Sequence, residues 1–178
     1  MDIDIMKKGF TLIELVVSVG VIAIISSALF LNWRPAQGTF ALRQAAFQLM
    51  GDLRRVQQLS LSTQEFSCVP LPAESHTGFG LYLNSGDSDS YQVFENCNDA
   101  NYSWDSGEEI ETLNFPSGVT IQSFTPSSSG ALSIFFVPPD PDTYINDLPS
   151  GQEAEITLTN GSLTAIVKVN SSGRIKLE

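Results

Sequence analysis

The hydrophobic pattern along the chain falls into three regimes. Residues Phe10 to Leu31 read FTLIELVVSVGVIAIISSALFL, a run with one charge, Glu14. At 1.5 Å per residue such a helix spans roughly 33 Å, enough to cross a bilayer core. Arg34 and Pro35 are expected to end it. From Thr39 to Thr63 the period becomes helical and one-sided. Leu42, Ala46, Leu49, Leu53, Val56 and Ser60 follow steps of three and four, while Arg43, Asp52, Arg54, Arg55 and Gln58 occupy other faces. This predicts an amphipathic helix that continues the first one past a bend at Pro35 to Gly38, its apolar stripe serving as core.

Beyond residue 66 the period drops to two and turn residues multiply. The expected strands are Gly78–Leu83, Tyr91–Glu95, Ile110–Phe115, Val119–Phe124, Ala131–Val137, Glu153–Thr159, Leu163–Val169 and Arg174–Leu177. Asn160-Gly161 between two alternating runs predicts a type I′ hairpin, which needs φ > 0 at both central residues. Ser172-Gly173 suggests a second tight turn. Four prolines between Pro138 and Pro149 predict an irregular loop. The expected class is α+β: a long N-terminal helix, transmembrane in its first half, packed on an antiparallel β-sheet domain.

The flanks of the apolar run set its orientation. Lys7 and Lys8 precede it and Arg34 follows it. Two bases against one place the N-terminus in the cytoplasm and the β-rich part outside. A secretory signal peptide is one alternative, with Ser26, Ser27 and Ala28 as a cleavage site, but the run is long for one and carries an acid near its start. A plain signal anchor is another, and it gives no reason to keep Glu14. An acid inside hydrocarbon costs a few kcal/mol on insertion scales and is usually functional and paired. A new amino terminus made just before Phe10 supplies the simplest partner.

Lys7-Lys8-Gly9-Phe10-Thr11-Leu12-Ile13-Glu14-Leu15 resembles the class III signal of type IV pilins and type II secretion pseudopilins. The resemblance implies cleavage by prepilin peptidase between Gly9 and Phe10, N-methylation of Phe10, and a role for Glu14 in filament assembly through a terminal amine. It divides the chain into a leader (1–9), a transmembrane helix (10–34), an amphipathic second half (35–65) and a β-rich domain (66–178). Many major pilins have proline at the twenty-second mature position. Here that position is Leu31 and the proline comes at Pro35, which leans toward a minor pilin or pseudopilin. The end of the chain, Val167-Lys168-Val169-Asn170-Ser171-Ser172-Gly173-Arg174-Ile175-Lys176, resembles the GspH/FimT-like branch of minor pseudopilins and pilins. The partners so implied are other pilin or pseudopilin subunits, prepilin peptidase and the inner membrane. The chain would first sit there as a single-pass protein with a periplasmic or extracellular domain, then in the filament.

Charge and composition narrow the remaining chemistry. The net charge is −11, and removing the leader takes two bases and two acids, so it stays −11. Such a body repels phosphate backbones at long range and argues against DNA as a partner. Lys168, Arg174 and Lys176 are nonetheless the candidate DNA contacts, since Arg174 and Lys176 share a strand face and Lys168 can sit across the hairpin. A DNA-binding or adhesive minor pilin is therefore the alternative function. Asp87 and Asp89, in an acidic loop, are candidate calcium ligands, although the EF-hand spacing is missing; otherwise no cofactor is expected. In an exported domain Cys68 and Cys97 predict one disulfide closing a loop of roughly 30 residues, stabilising by about 3 kcal/mol; two separate thiols are the alternative. The single histidine, His76, lies in a Pro/Ser/Gly-rich loop, and no catalytic set accompanies it. The chain is expected not to be an enzyme.

Overall fold

The computed structural model describes residues 9–31, 33–62, 78–96, 101–137, 142–148 and 151–178, with side chains throughout these ranges except at 28–31 and 33–37. The chain divides into two compact units, Met1–Gln37 and Gly38–Glu178. Two helices open it, α1 (Leu12–Leu31) and α2 (Trp33–Leu61). Pro35 to Gly38, where the sequence suggested a bend, are helical in backbone.

In the second unit the predicted stripe of α2 forms the core. Leu42, Ala45, Ala46, Leu49, Leu53, Val56 and Ser60 are all buried. All of them but Ser60 join one cluster with side chains from two antiparallel sheets. The five-stranded sheet runs in the order β3 (Glu109–Asn114), β2 (Asp87–Glu95), β1 (Phe79–Asn84), β5 (Ala131–Phe136), β6 (Thr143–Ile145). The four-stranded sheet runs β4 (Thr120–Thr125), β7 (Glu153–Thr159), β8 (Thr164–Asn170), β9 (Ile175–Leu177). The α+β class with a helix packed on antiparallel sheet is thus what the structure shows.

Polar contacts fix α2 in register on the strands. The Tyr91 hydroxyl donates to Asp52 Oδ2 at 2.6 Å, and Gln48 Nε2 donates to the Asn114 carbonyl at 3.2 Å. Arg55 pairs with Glu111 at 2.8 Å, and the Phe79 N–H donates to Ser60 Oγ at 3.0 Å. Burial, and then the hydrogen bond to the Asp52 carboxylate with its negative charge, push the Tyr91 phenol above its ordinary range. An acid whose folded pKa is raised stabilises fully below its unfolded value near 10 and loses that contribution as pH rises. Stability is therefore expected to fall above about pH 10, with a Tyr91→Phe variant less sensitive in that window; parallel urea titrations at pH 8 and 11 check this.

Two expectations about the strands need correction. The Pro138–Pro149 stretch contains a strand, β6, whose Thr143 and Ile145 are buried against Phe136 and Ile134. It is an edge strand of three residues with no proline inside it, so the prolines around it were no obstacle. The β7–β8 hairpin forms, but not with a type I′ turn. Gly161 has φ of 85° while Asn160 is absent from the left-handed region, and the strands close at Thr159↔Thr164. The Asn160 side chain builds the turn instead: its Oδ1 accepts from the N–H groups of Ser162 and Leu163 at 3.0 and 2.8 Å. Its Nδ2 donates to the Gly38 carbonyl at 2.9 Å, anchoring the loop to the start of this unit's helix.

The far face of the five-stranded sheet carries a second aromatic layer. Phe94 and Phe135 stack at 6.0 Å, Tyr102 meets Phe135 at 5.6 Å and Tyr144 at 4.0 Å, and Tyr82 stacks on Trp104 at 4.3 Å. Gly80 pairs with Phe94 on one side and Phe135 on the other. A Cβ at Gly80 would lie 2.3 Å from the Phe94 ring, so the absence of a side chain here is what lets the ring lie across the strand.

Candidate assembly segment at the N-terminus

Gly9, Phe10 and Thr11 precede α1 and are exposed, Phe10 at 80%. Thr11 is the N-cap. Its Oγ1 accepts from the Glu14 N–H at 3.4 Å, and its hydroxyl faces Glu14 Oε2 at 3.5 Å. Thr11-Leu12-Ile13-Glu14 is therefore a capping-box sequence, with the acid at the third helical position. The sequence reading assigned Glu14 to assembly alone; the spacing Thr-x-x-Glu was the signal for this second role. Ser18 Oγ then donates to the Glu14 carbonyl at 2.7 Å, keeping that hydroxyl within the helix backbone. Glu14 sits where the helix dipole is positive, which favours a carboxylate. An ammonium at Phe10 would oppose the same dipole, and Glu14 is the only acid in α1 to offset it.

The rest of α1 is apolar on every side. Leu12, Ile13, Val16, Val17, Ile22 and Ile24 each expose more than half of their surface. A helix hydrophobic all round is stable in water only when something covers it: protein core or membrane. No helix among the described residues is long and apolar enough to cross a membrane.

The other candidate residues are placed differently. Asp87 and Asp89 are not in a loop: both lie on β2, after a two-residue turn at Ser85-Gly86. Asp87 Oδ2 accepts from Ser90 Oγ at 2.7 Å. No group of three His, Cys, Asp or Glu able to hold a metal forms among the described residues. Lys168 and Lys176 are direct cross-strand partners, as the hairpin reading required. However, Lys168 Nζ lies 2.9 Å from Glu178 and 3.4 Å from Glu155, so its charge is already matched. Those two hydrogen bonds hold its pKa above the ordinary lysine value. Arg174 is exposed outside β9, beside a turn in which Gly173 has φ of 73°. The Gly173 carbonyl accepts from Gln57 Nε2 at 3.3 Å, which gives the terminal Gly-Arg pair a packing role against α2. Cys68, Cys97, His76, Lys7 and Lys8 lie outside the described residues. A cleft of about 360 Å³, lined by Tyr82, Trp104, Ser128, Ser133, Asn146 and Asp147, holds none of the residues singled out in the sequence.

Comparison with known proteins bears on the N-terminal segment. Residues 6–30 match the prokaryotic N-terminal methylation motif. The chain is similar to "Competence protein ComGD" of Bacillus subtilis (strain 168), with 39% identity over 59 residues. That stretch is 33% of this chain and 41% of the relative, so the chain spans less than half the length of the curated relative it matches. No solved structure matches the chain. The capped apolar helix thus carries the methylation motif, and about a third of the chain is similar to this relative.

Proposed function

We propose that this chain is a minor structural subunit of a type IV pilus-like filament or type II secretion pseudopilus, of the GspH/FimT-like branch. Prepilin peptidase cuts it between Gly9 and Phe10 and the new amine of Phe10 is methylated. The helix from Phe10 onward anchors the protein in the inner membrane with its β-rich domain outside, and later joins the filament core. The observation that carries this reading is the match of residues 6–30 to the methylation motif, ahead of an apolar helix with a single acid. Filaments sheared from cells expressing a C-terminally tagged chain are expected to contain the shortened form. A tagged chain confined to membranes of cells that make filaments would contradict the proposal.

A second reading draws on the relative's name, which ties that protein to competence. We infer from it a filament of the DNA-uptake kind, in which this subunit contributes structure rather than DNA contacts. Lys168 is engaged by Glu155 and Glu178, leaving Arg174 and Lys176 of that set, on a chain of net charge −11. Deleting the chain is then expected to abolish transformation, whereas Arg174→Ala with Lys176→Ala leaves it within about twofold of wild type.

A further inference from the structure

Tyr82 and Ser133 are cross-strand partners on β1 and β5. Their neighbours Leu81, Leu83, Leu132 and Ile134 fill the core, so by strand alternation these two stand on the far face of the sheet. With Trp104, Ser128, Asn146 and Asp147 they line the cleft of about 360 Å³. That is the lower end of ligand-pocket size, room for one side chain or a small molecule. Trp104 stacks on Tyr82 at 4.3 Å, and its backbone N–H donates to Ser133 Oγ at 3.2 Å. Its indole Nε1 is buried with no hydrogen-bond partner among the described residues. A phenylalanine would stack on Tyr82 without burying an unsatisfied donor, so stacking alone does not account for tryptophan. Tryptophan adds the best π face for a cation.

The same cleft holds a carboxylate in a fixed place. Asn146 and Asp147 have φ of 49° and 66°, and Ser129, next to Ser128, has φ of 53°. All the non-glycine residues with positive φ among the described ones are thus at this cleft, and such backbone strain gathers at binding sites. The Asn146 side chain secures the pair. Its Oδ1 accepts from the Ser133 N–H at 2.9 Å, and its Nδ2 donates to the Pro126 carbonyl at 3.1 Å. Asp147 Oδ1 accepts from the Tyr102 N–H at 2.8 Å, while Oδ2 has no donor among the described residues.

Every lining residue comes from a stretch, Val56 to Val167, that contains no lysine or arginine. An anion in the cleft would find no counter-charge there. Burial first, then Tyr102, then the charges of Asp142 and Asp147 push the nearby Tyr144 phenol above its ordinary range, which marks the local field as negative. We infer that the cleft binds a primary ammonium group on an aliphatic stem, the chemistry of a lysine side chain. The free oxygen of Asp147 meets the charge, serine hydroxyls accept the remaining N–H groups, and the Tyr82 and Trp104 rings cover the stem and the cation. The cleft lies wholly within the β-rich unit, so the inference goes beyond the filament reading and does not depend on it.

The test uses the full chain in non-ionic detergent micelles, with Trp33→Phe so that Trp104 is the one indole left. The probe is Nα-acetyl-lysine amide. The control is Nα-acetyl-norleucine amide, which keeps the stem and lacks the charge. Trp104 fluorescence is expected to change saturably with the lysine probe, half-way at roughly 1–10 mM, and at least tenfold more weakly with norleucine. Raising salt from 50 to 500 mM should weaken lysine binding, because charges near solvent are screened. Asp147→Asn should weaken it about fivefold. Asparagine can still accept from the Tyr102 N–H and suits a left-handed backbone, so this change spares the fold. Asp142→Asn, outside the lining, should leave binding within about twofold. Ser128→Lys, at an exposed lining position, should abolish it, since a tethered ammonium fills the cleft or repels the probe. No saturable response, equal responses to both probes, undiminished binding by Asp147→Asn or Ser128→Lys, or equal losses from Asp142→Asn and Asp147→Asn overturns the site. So does a response to N-acetylglucosamine as strong as that to lysine, which would make it a saccharide cleft.

Discussion

A Glu14→Ala chain is expected to be cut after Gly9 and retained in the membrane, yet to be depleted from sheared filaments by on the order of 100-fold. The argument is one of unequal costs. An acid at membrane depth is expensive and persists where a positive charge meets it. Removing one member of such a buried pair costs about 3–5 kcal/mol, because the other charge is left without a partner. Each 1.4 kcal/mol is a factor of ten, so a 100-fold loss needs less than the whole pair. The capping box gives a competing explanation, since Thr11 and Glu14 also start α1. That role is worth about 1 kcal/mol and depends on hydrogen bonding rather than charge. Glu14→Gln separates the two: glutamine also serves in a capping box but carries no charge. If the Gln variant assembles as well as wild type, capping explains Glu14 and the charge pairing is wrong. If Gln and Ala fail alike while both are processed, charge is the requirement.

The largest stability effect outside the first helix is expected at Gly80. Gly80→Ala should cost about 3 kcal/mol, the upper end of what overpacking a dense core does. The new Cβ would sit 2.3 Å from the Phe94 ring and 2.9 Å from the Ile134 carbonyl oxygen. The ring is buried and stacked on Phe135, which in turn meets Tyr102, so relief at one point disturbs the whole aromatic layer. Urea unfolding of the full chain in detergent micelles reads the shift. A Gly80→Ala, Phe94→Leu double variant is expected to cost less than the sum of the two single changes, because the smaller side chain removes the clash. A Gly80→Ala midpoint within 0.5 kcal/mol of wild type would mean that the aromatic layer yields without cost.

What could be read from the sequence followed from periodicity. The α2 stripe needed no tertiary information: Leu42, Leu49, Leu53 and Val56 recur at helical spacing and all end in the core. The strands with β-branched and aromatic alternation were placed to within a residue or two, because half-buried strands impose that pattern. Where pattern and structure diverged, a polar side chain or a position decided. Asp87 to Ser90 lack strand character, yet they extend β2 because a tight turn at Ser85-Gly86 delivers them to β1. Asn160 forms the turn with its side chain rather than with a left-handed backbone. At the N-terminus the methylation motif, matched over residues 6–30, was legible as a short local pattern, whereas the ion pairs that engage Lys168 required the fold to bring Glu155 and Glu178 beside it.

Everything proposed for the filament depends on one covalent event, so the intact mass of the chain tests it most directly. Protein from membranes of cells with and without prepilin peptidase is to be weighed. The account predicts loss of residues 1–9 together with the mass of one methyl group on Phe10, only where the peptidase is present. An uncut chain in both strains would leave a signal-anchored β-protein, and a cut near Ala28 would make it a freely secreted one; either result would contradict the reading of Gly9, Phe10 and Glu14 given above.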